Sequence, residues 1–151
     1  MKRRRFVGIV RLLPLAPALL PAAFAAGCAR EAEHGPVDIK WDRDLDARCG
    51  MVISDRRFAA QIRDPAGKVW KFDDIGCAVF WLARQPFDEN AARLEYWVAD
   101  QRTLAWLDAR QAHYLAGRKS PMGYQFAAQA NAEDGSLSYG EMKQRILARG
   151  K

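Results

Sequence analysis

The sequence predicts an α+β domain made of two related strand-strand-helix units sharing a sheet, and two observations predict it. Residues 58–84, FAAQIRDPAGKVWKFDDIGCAVFWLAR, and residues 126–149, FAAQANAEDGSLSYGEMKQRILAR, both open with Phe-Ala-Ala-Gln and close with Leu-Ala-Arg. In each copy a short β-favouring run leads through an Asp-Gly turn to a second strand and then to an apolar stretch of helical period. Gly67 and Gly135 keep an offset of 68, and Leu82 and Leu147 one of 65, so three residues are lost after the turn.

The elements follow in order. Phe58-Ala59-Ala60-Gln61 begins the first strand, and Asp64-Pro65-Ala66-Gly67 is a turn by composition. Ile75, Val79 and Leu82, at spacings of four and three, predict a helix with an apolar stripe on the sheet, capped by Asp73 or Asp74. Leu94 to Val98 and Ala112 to Leu115 predict two strands between the copies. In the second copy Ser138 is the expected N-cap, with Glu141 three residues on as in a capping box. Trp41, Trp70, Trp81, Trp97 and Trp106 read as core and helix-sheet packing.

Ahead of this domain, residues 1–27 read as an export signal: a basic Met1–Arg5, an apolar run interrupted by Arg11, Pro14, Pro17 and Pro21, then Ala25-Ala26-Gly27 before Cys28. A membrane-spanning helix needs about 20 uninterrupted apolar residues. Cleavage before Cys28 with lipid on its thiol is the expectation, and ordinary secretory cleavage nearby is the alternative. Ala29 in place of Asp then predicts the outer membrane, facing the periplasm. Residues 28–41 are expected to form a polar tether containing His34 in solvent, and residues 42–151 the folded domain.

Five of the six formal positive charges belong to the leader, which holds five of the 24 basic residues and no acid. The remainder carries 19 basic against 18 acidic groups, interspersed, which excludes the clustered charge of a nucleic-acid binder.

With Cys28 lipidated, Cys49 and Cys77 are the thiols that remain. In an oxidising compartment a Cys49–Cys77 disulfide is the competing expectation. Met51 lies two residues after Cys49. In an extended segment residues i and i+2 face one side, so both sulfurs can meet one point. Ser120-Pro121-Met122-Gly123 fits a type I turn presenting Met122 at an exposed tip. One thiolate and two thioethers form a soft donor set suited to Cu(I); Met51 and Met122 as gap-filling core residues is the alternative. Cys77 is expected to be a small buried hydrophobe.

Cys49-Gly50-Met51-Val52-Ile53, Phe72-Asp73-Asp74-Ile75-Gly76-Cys77 and Ser120-Pro121-Met122-Gly123, in this order after an export signal, resemble the NosL family of copper-binding lipoproteins accessory to nitrous oxide reductase assembly. The resemblance runs from about residue 45 to the end of the chain. It implies a fold like the organomercurial lyase core, Cu(I) as cargo, and Cys49, Met51 and Met122 as ligand candidates. It also implies apo nitrous oxide reductase as recipient, with an associated periplasmic protein and an ABC transporter as partners. No family histidine matches His113, which reads as a surface or strand residue. The expected protein is a carrier and not an enzyme. The alternatives are a metal-free scaffolding lipoprotein and a carbon–mercury lyase using Cys49, Cys77 and Asp74, the latter by fold analogy alone.

Overall fold

The computed structural model describes residues 33–150; the expected leader, its cleavage point and Cys28 lie outside the described residues. In chain order the elements are β1 (Ala60–Arg63), β2 (Val69–Phe72), α1 (Ile75–Leu82), β3 (Glu95–Ala99), β4 (Trp106–Asp108), β5 (His113–Ala116), β6 (Phe126–Gln129) and α2 (Tyr139–Leu147). Among the described residues no helix is long and apolar enough to cross a membrane.

The class is α+β, but the single shared sheet is not what forms. There are two antiparallel sheets, β2-β1-β3-β4 and β5-β6, touching through an isolated parallel bridge between Asp100 and Ala128. The two copies of the repeat also diverge after their first strands. In the first copy β1 turns directly into its partner β2, with Ala60 opposite Phe72 and Arg63 opposite Val69. In the second, the residue after the turn, Leu137, pairs with Tyr114 of β5, on the far side from β6. The three residues missing after Gly135 leave too little chain for a full hairpin strand, and the segment crosses to another edge. β4 was not expected from the sequence; its three residues are a short return from β3.

β1 sits between β2 and β3 and all four of its residues are buried. Ala60 and Ile62 face the main core. Gln61, on the other face, is covered by the expected tether: its amide accepts from Val37 N and donates to Val37 O, both at 2.9 Å. Arg63 Nη2 donates to Gly35 O at 2.8 Å, and His34 and Gly35 bind the Glu95 carboxylate at 2.9 and 2.7 Å. Ile39 packs with Ile53, Ala59 and Ala99. Residues 34–41 are therefore part of the folded domain. Their Pro and charged residues read as linker in the sequence, and their partners lie some 24 to 61 residues away.

α1 begins at Asp74, whose side chain accepts from Gly76 N. Every residue of the helix is buried, so the expected stripe is an apolar surface on all sides. Trp81 packs on Trp70 and Phe72 with ring centroids 5.0 and 5.6 Å apart, and Tyr124 covers the helix start. α2 keeps a polar outer face. It buries Met142 and Ile146, four apart, and its Ser138–Glu141 capping box forms as expected.

Candidate metal centre

Cys49 and Cys77 meet. Both thiols are free, Cys49 half-buried and Cys77 fully buried. Their sulfurs and a carboxylate oxygen of Asp46 all lie within 4.8 Å of one another. Cys77 is a buried residue as expected, yet it is not merely packing: its sulfur faces the loop that carries Cys49.

That loop is a hydrogen-bonded turn, and the extended geometry expected for Cys49-Gly50-Met51 is absent. Asp46 N donates to Met51 O at 2.7 Å and Gly50 N to Asp46 O at 2.9 Å, with Gly50 at φ +73°. Asp46 Oδ1 accepts from Arg48 N and Cys49 N at 2.8 and 3.1 Å, and its Oδ2 accepts from Asp73 N at 2.9 Å. Two consequences follow. The alternation that would aim Cys49 and Met51 together does not apply, and Met51 is 57% exposed. Asp46, meanwhile, spends most of its acceptor capacity on the backbone, so its first role is to hold the loop on the start of α1.

The same loop occurs a second time. Asp100 N donates to Ala105 O at 2.8 Å, and Leu104 N donates to Asp100 O at 2.9 Å. Asp100 Oδ1 takes Arg102 N and Thr103 N at 2.8 and 2.9 Å, and Oδ2 takes Ala130 N at 2.9 Å. Leu104 adopts φ +61°, as Gly50 adopts +73°. Asp-Ala-Arg-Cys-Gly and Asp-Gln-Arg-Thr-Leu are the legible signal that could have singled out Asp46. Only the first copy carries a thiol.

The Met122 turn is tied to the start of α1. Gly123 N donates to Ser120 O at 3.1 Å, closing the expected turn with Gly123 at φ +73°. The turn is not a free tip: Ser120 is buried and Met122 is half-buried against the main core. Asp74 Oδ2 accepts from Ser120 Oγ at 2.6 Å and from Met122 N at 3.0 Å. Two residues on, Tyr124 lies on Gly76 so closely that a Cβ there would meet its ring at 2.0 Å. The Tyr124 hydroxyl accepts from Arg48 Nη1 at 2.9 Å. The Cys49 loop and the Met122 turn are thus joined to each other and to the first turn of α1.

Burial pushes both thiols up from their ordinary range. For Cys49 the Asp46 charge adds to burial, and the Met51 N–H partly offsets them. For Cys77 Asp46 and Cys49 add to burial, against the Arg48 guanidinium 4.0 Å from its sulfur. Without a cation the pair is therefore protonated at neutral pH, and a bound metal ion would displace the protons. Histidine takes no part: His113 is in β5 opposite Gln129, and His34 bonds Glu95. Asp74, the acid of the lyase alternative, is occupied by Gly76, Ser120 and Met122; Asp46 stands with the cysteines instead.

The arrangement brings two thiols and a carboxylate close enough to share one metal ion, and the turn that carries Met122 is tied to the same first turn of α1. Compared with protein-family models and with curated proteins, the chain matches none.

Proposed function

We propose that this chain is a Cu(I) carrier, anchored to the membrane through lipid on Cys28, that delivers copper for assembly of the nitrous oxide reductase copper cluster. The observation that supports it is the pair of free thiols, half-buried Cys49 and buried Cys77, with sulfurs inside 4.8 Å. Soft thiolates favour Cu(I), which accepts two or three sulfur ligands, whereas Zn commonly takes four donors from thiolate, imidazole and carboxylate. Both histidines lie elsewhere, so the imidazole donor that Zn commonly takes is not at hand. The half-exposed Cys49 gives an incoming ligand a side from which to attack, so that copper passes by exchange and is never released as free ion. The NosL resemblance supplies the recipient, apo nitrous oxide reductase, and the associated periplasmic protein and ABC transporter as docking partners.

The test is titration of reduced protein with Cu(I) against a chromophoric chelator, followed by transfer to apo reductase. One ion per chain and loss of binding in Cys49→Ser are expected. Absence of binding would leave the scaffolding lipoprotein. A carbon–mercury lyase is the second reading, since Asp46, Cys49 and Cys77 bring two thiols and an acid together. Release of hydrocarbon from an organomercurial would favour it.

A further inference from the structure

We propose that Asp74 is a positioning residue for the metal centre: its second carboxylate oxygen ties the Ser120–Met122 turn to the first turn of α1, which leads into Cys77, so that the Met122 thioether joins the two thiols on the bound ion. This rests on the Cu(I) reading above. Asp74 is wholly buried. Capping α1 occupies only Oδ1, which accepts from Gly76 N at 2.9 Å, and Ser or Asn would cap a helix as well. A buried carboxylate is costly unless its oxygens are used. Here Oδ2 is used by residues 46 and 48 positions away, Ser120 Oγ at 2.6 Å and Met122 N at 3.0 Å. Ser120 Oγ in turn accepts from Gln125 N at 3.0 Å, which fixes both ends of the turn.

The other jaw is hung the same way. Asp46 Oδ2 accepts from Asp73 N, so the Cys49 loop and the Met122 turn are held by adjacent residues, one helical turn before Cys77. Arg48 and Tyr124, joined at 2.9 Å, brace the two jaws against each other. Three segments far apart in sequence thereby converge on the first turn of α1, and Asp74 is the group that sets the third.

The test uses Asp74→Ser in the full chain, which keeps an N-cap hydroxyl and removes the acceptor for Met122. Cu(I) affinity is read by chelator competition, and the number of sulfur neighbours by X-ray absorption at the copper edge. Asp74→Ser and Met122→Leu should each weaken binding about tenfold, the double variant no further, and both should lose the same Cu–S contribution. If Asp74→Ser does not fold, Ser120→Ala removes one bond of the three and should show a smaller loss of the same kind. Parent-like affinity and sulfur count in the folded variant, or losses that multiply with those of Met122→Leu, would overturn the proposal. If Cys49→Ser binds Cu(I) as the parent does, the copper reading fails with it; if only Asp74→Ser is silent, the copper reading stands and the positioning role falls.

Discussion

Glycine to alanine in a helix ordinarily stabilises a protein by about 0.5–1 kcal/mol, because the unfolded chain loses freedom. The second residue of each helix here is glycine, and the two should respond with opposite signs. At Gly140 a Cβ meets nothing within 4 Å, so Gly140→Ala should raise stability by up to about 0.5–1 kcal/mol. At Gly76 a Cβ would stand 2.0 to 2.6 Å from three ring atoms of Tyr124, which is buried and cannot swing into solvent freely. Displacing it is an overpacking cost of about 1–3 kcal/mol, and the Arg48–Tyr124 hydrogen bond at 2.9 Å adds about 1 kcal/mol when lost. Against the helix gain, Gly76→Ala should destabilise by about 2 kcal/mol, a fall of roughly 8 °C in Tm for a domain of this size. Chemical and thermal denaturation of the two variants measure this. A cycle with Tyr124→Ala sharpens it, since removing the ring should abolish the Gly76→Ala penalty. A neutral or stabilising Gly76→Ala, or a penalty that persists without the ring, would refute the close approach of Tyr124 to α1.

The remaining expectations concern the sulfurs and the sheet end. Cys77→Ser should weaken Cu(I) binding nearly as much as Cys49→Ser, whereas Met51→Leu, at an exposed position, should matter least; chelator competition ranks them. Because thiols ordinarily titrate above neutrality and burial raises both of these further, each thiolate engaged displaces one proton, so affinity should fall about tenfold per pH unit for one thiolate and about a hundredfold for two. The slope between pH 6 and pH 8, roughly that range, counts the thiolates. Alkylation of metal-free native protein should label half-buried Cys49 well before buried Cys77, read by peptide mass spectrometry. At the far end of β1, burial raises the Glu95 carboxyl, but hydrogen bonds from His34, Gly35, Trp97 and Arg63 outweigh it and leave it below its ordinary 4.5. A lowered carboxylate stabilises above its unfolded value and loses that contribution as pH falls through the folded one. Glu95→Gln should therefore cost about 1 kcal/mol near neutrality, with the gap to the parent closing in acid, followed by urea melts across pH.

The α+β class was legible from the sequence, and so were both helix caps and the Ser120–Gly123 turn, because each cap and turn depends on residues within one turn of chain. Caps and turns are local hydrogen-bond problems, and Asp74, Ser138 with Glu141, and Pro121 with Gly123 state their own solutions. What lay beyond reach depended on partners far along the chain. The docking of residues 34–41 rests on Gln61, Arg63 and Glu95, and the crossing of Leu137 to Tyr114 on which sheet edge was open. The sequence offered Cys49 with Cys77 only as a competing disulfide; that Cys77 faces the Cys49 loop as a free thiol was hidden for the same reason. On an all-buried helix the apolar period does not say which residue faces which neighbour, and Cys77 reads as packing until the Asp46 loop is laid across it. The sequence by itself determined which sulfur chemistry the protein owns. Tertiary structure decided that the Cys49 and Cys77 sulfurs meet, because Asp46 keeps a carboxylate oxygen for the Asp73 N–H, which only the folded chain brings within 3.0 Å.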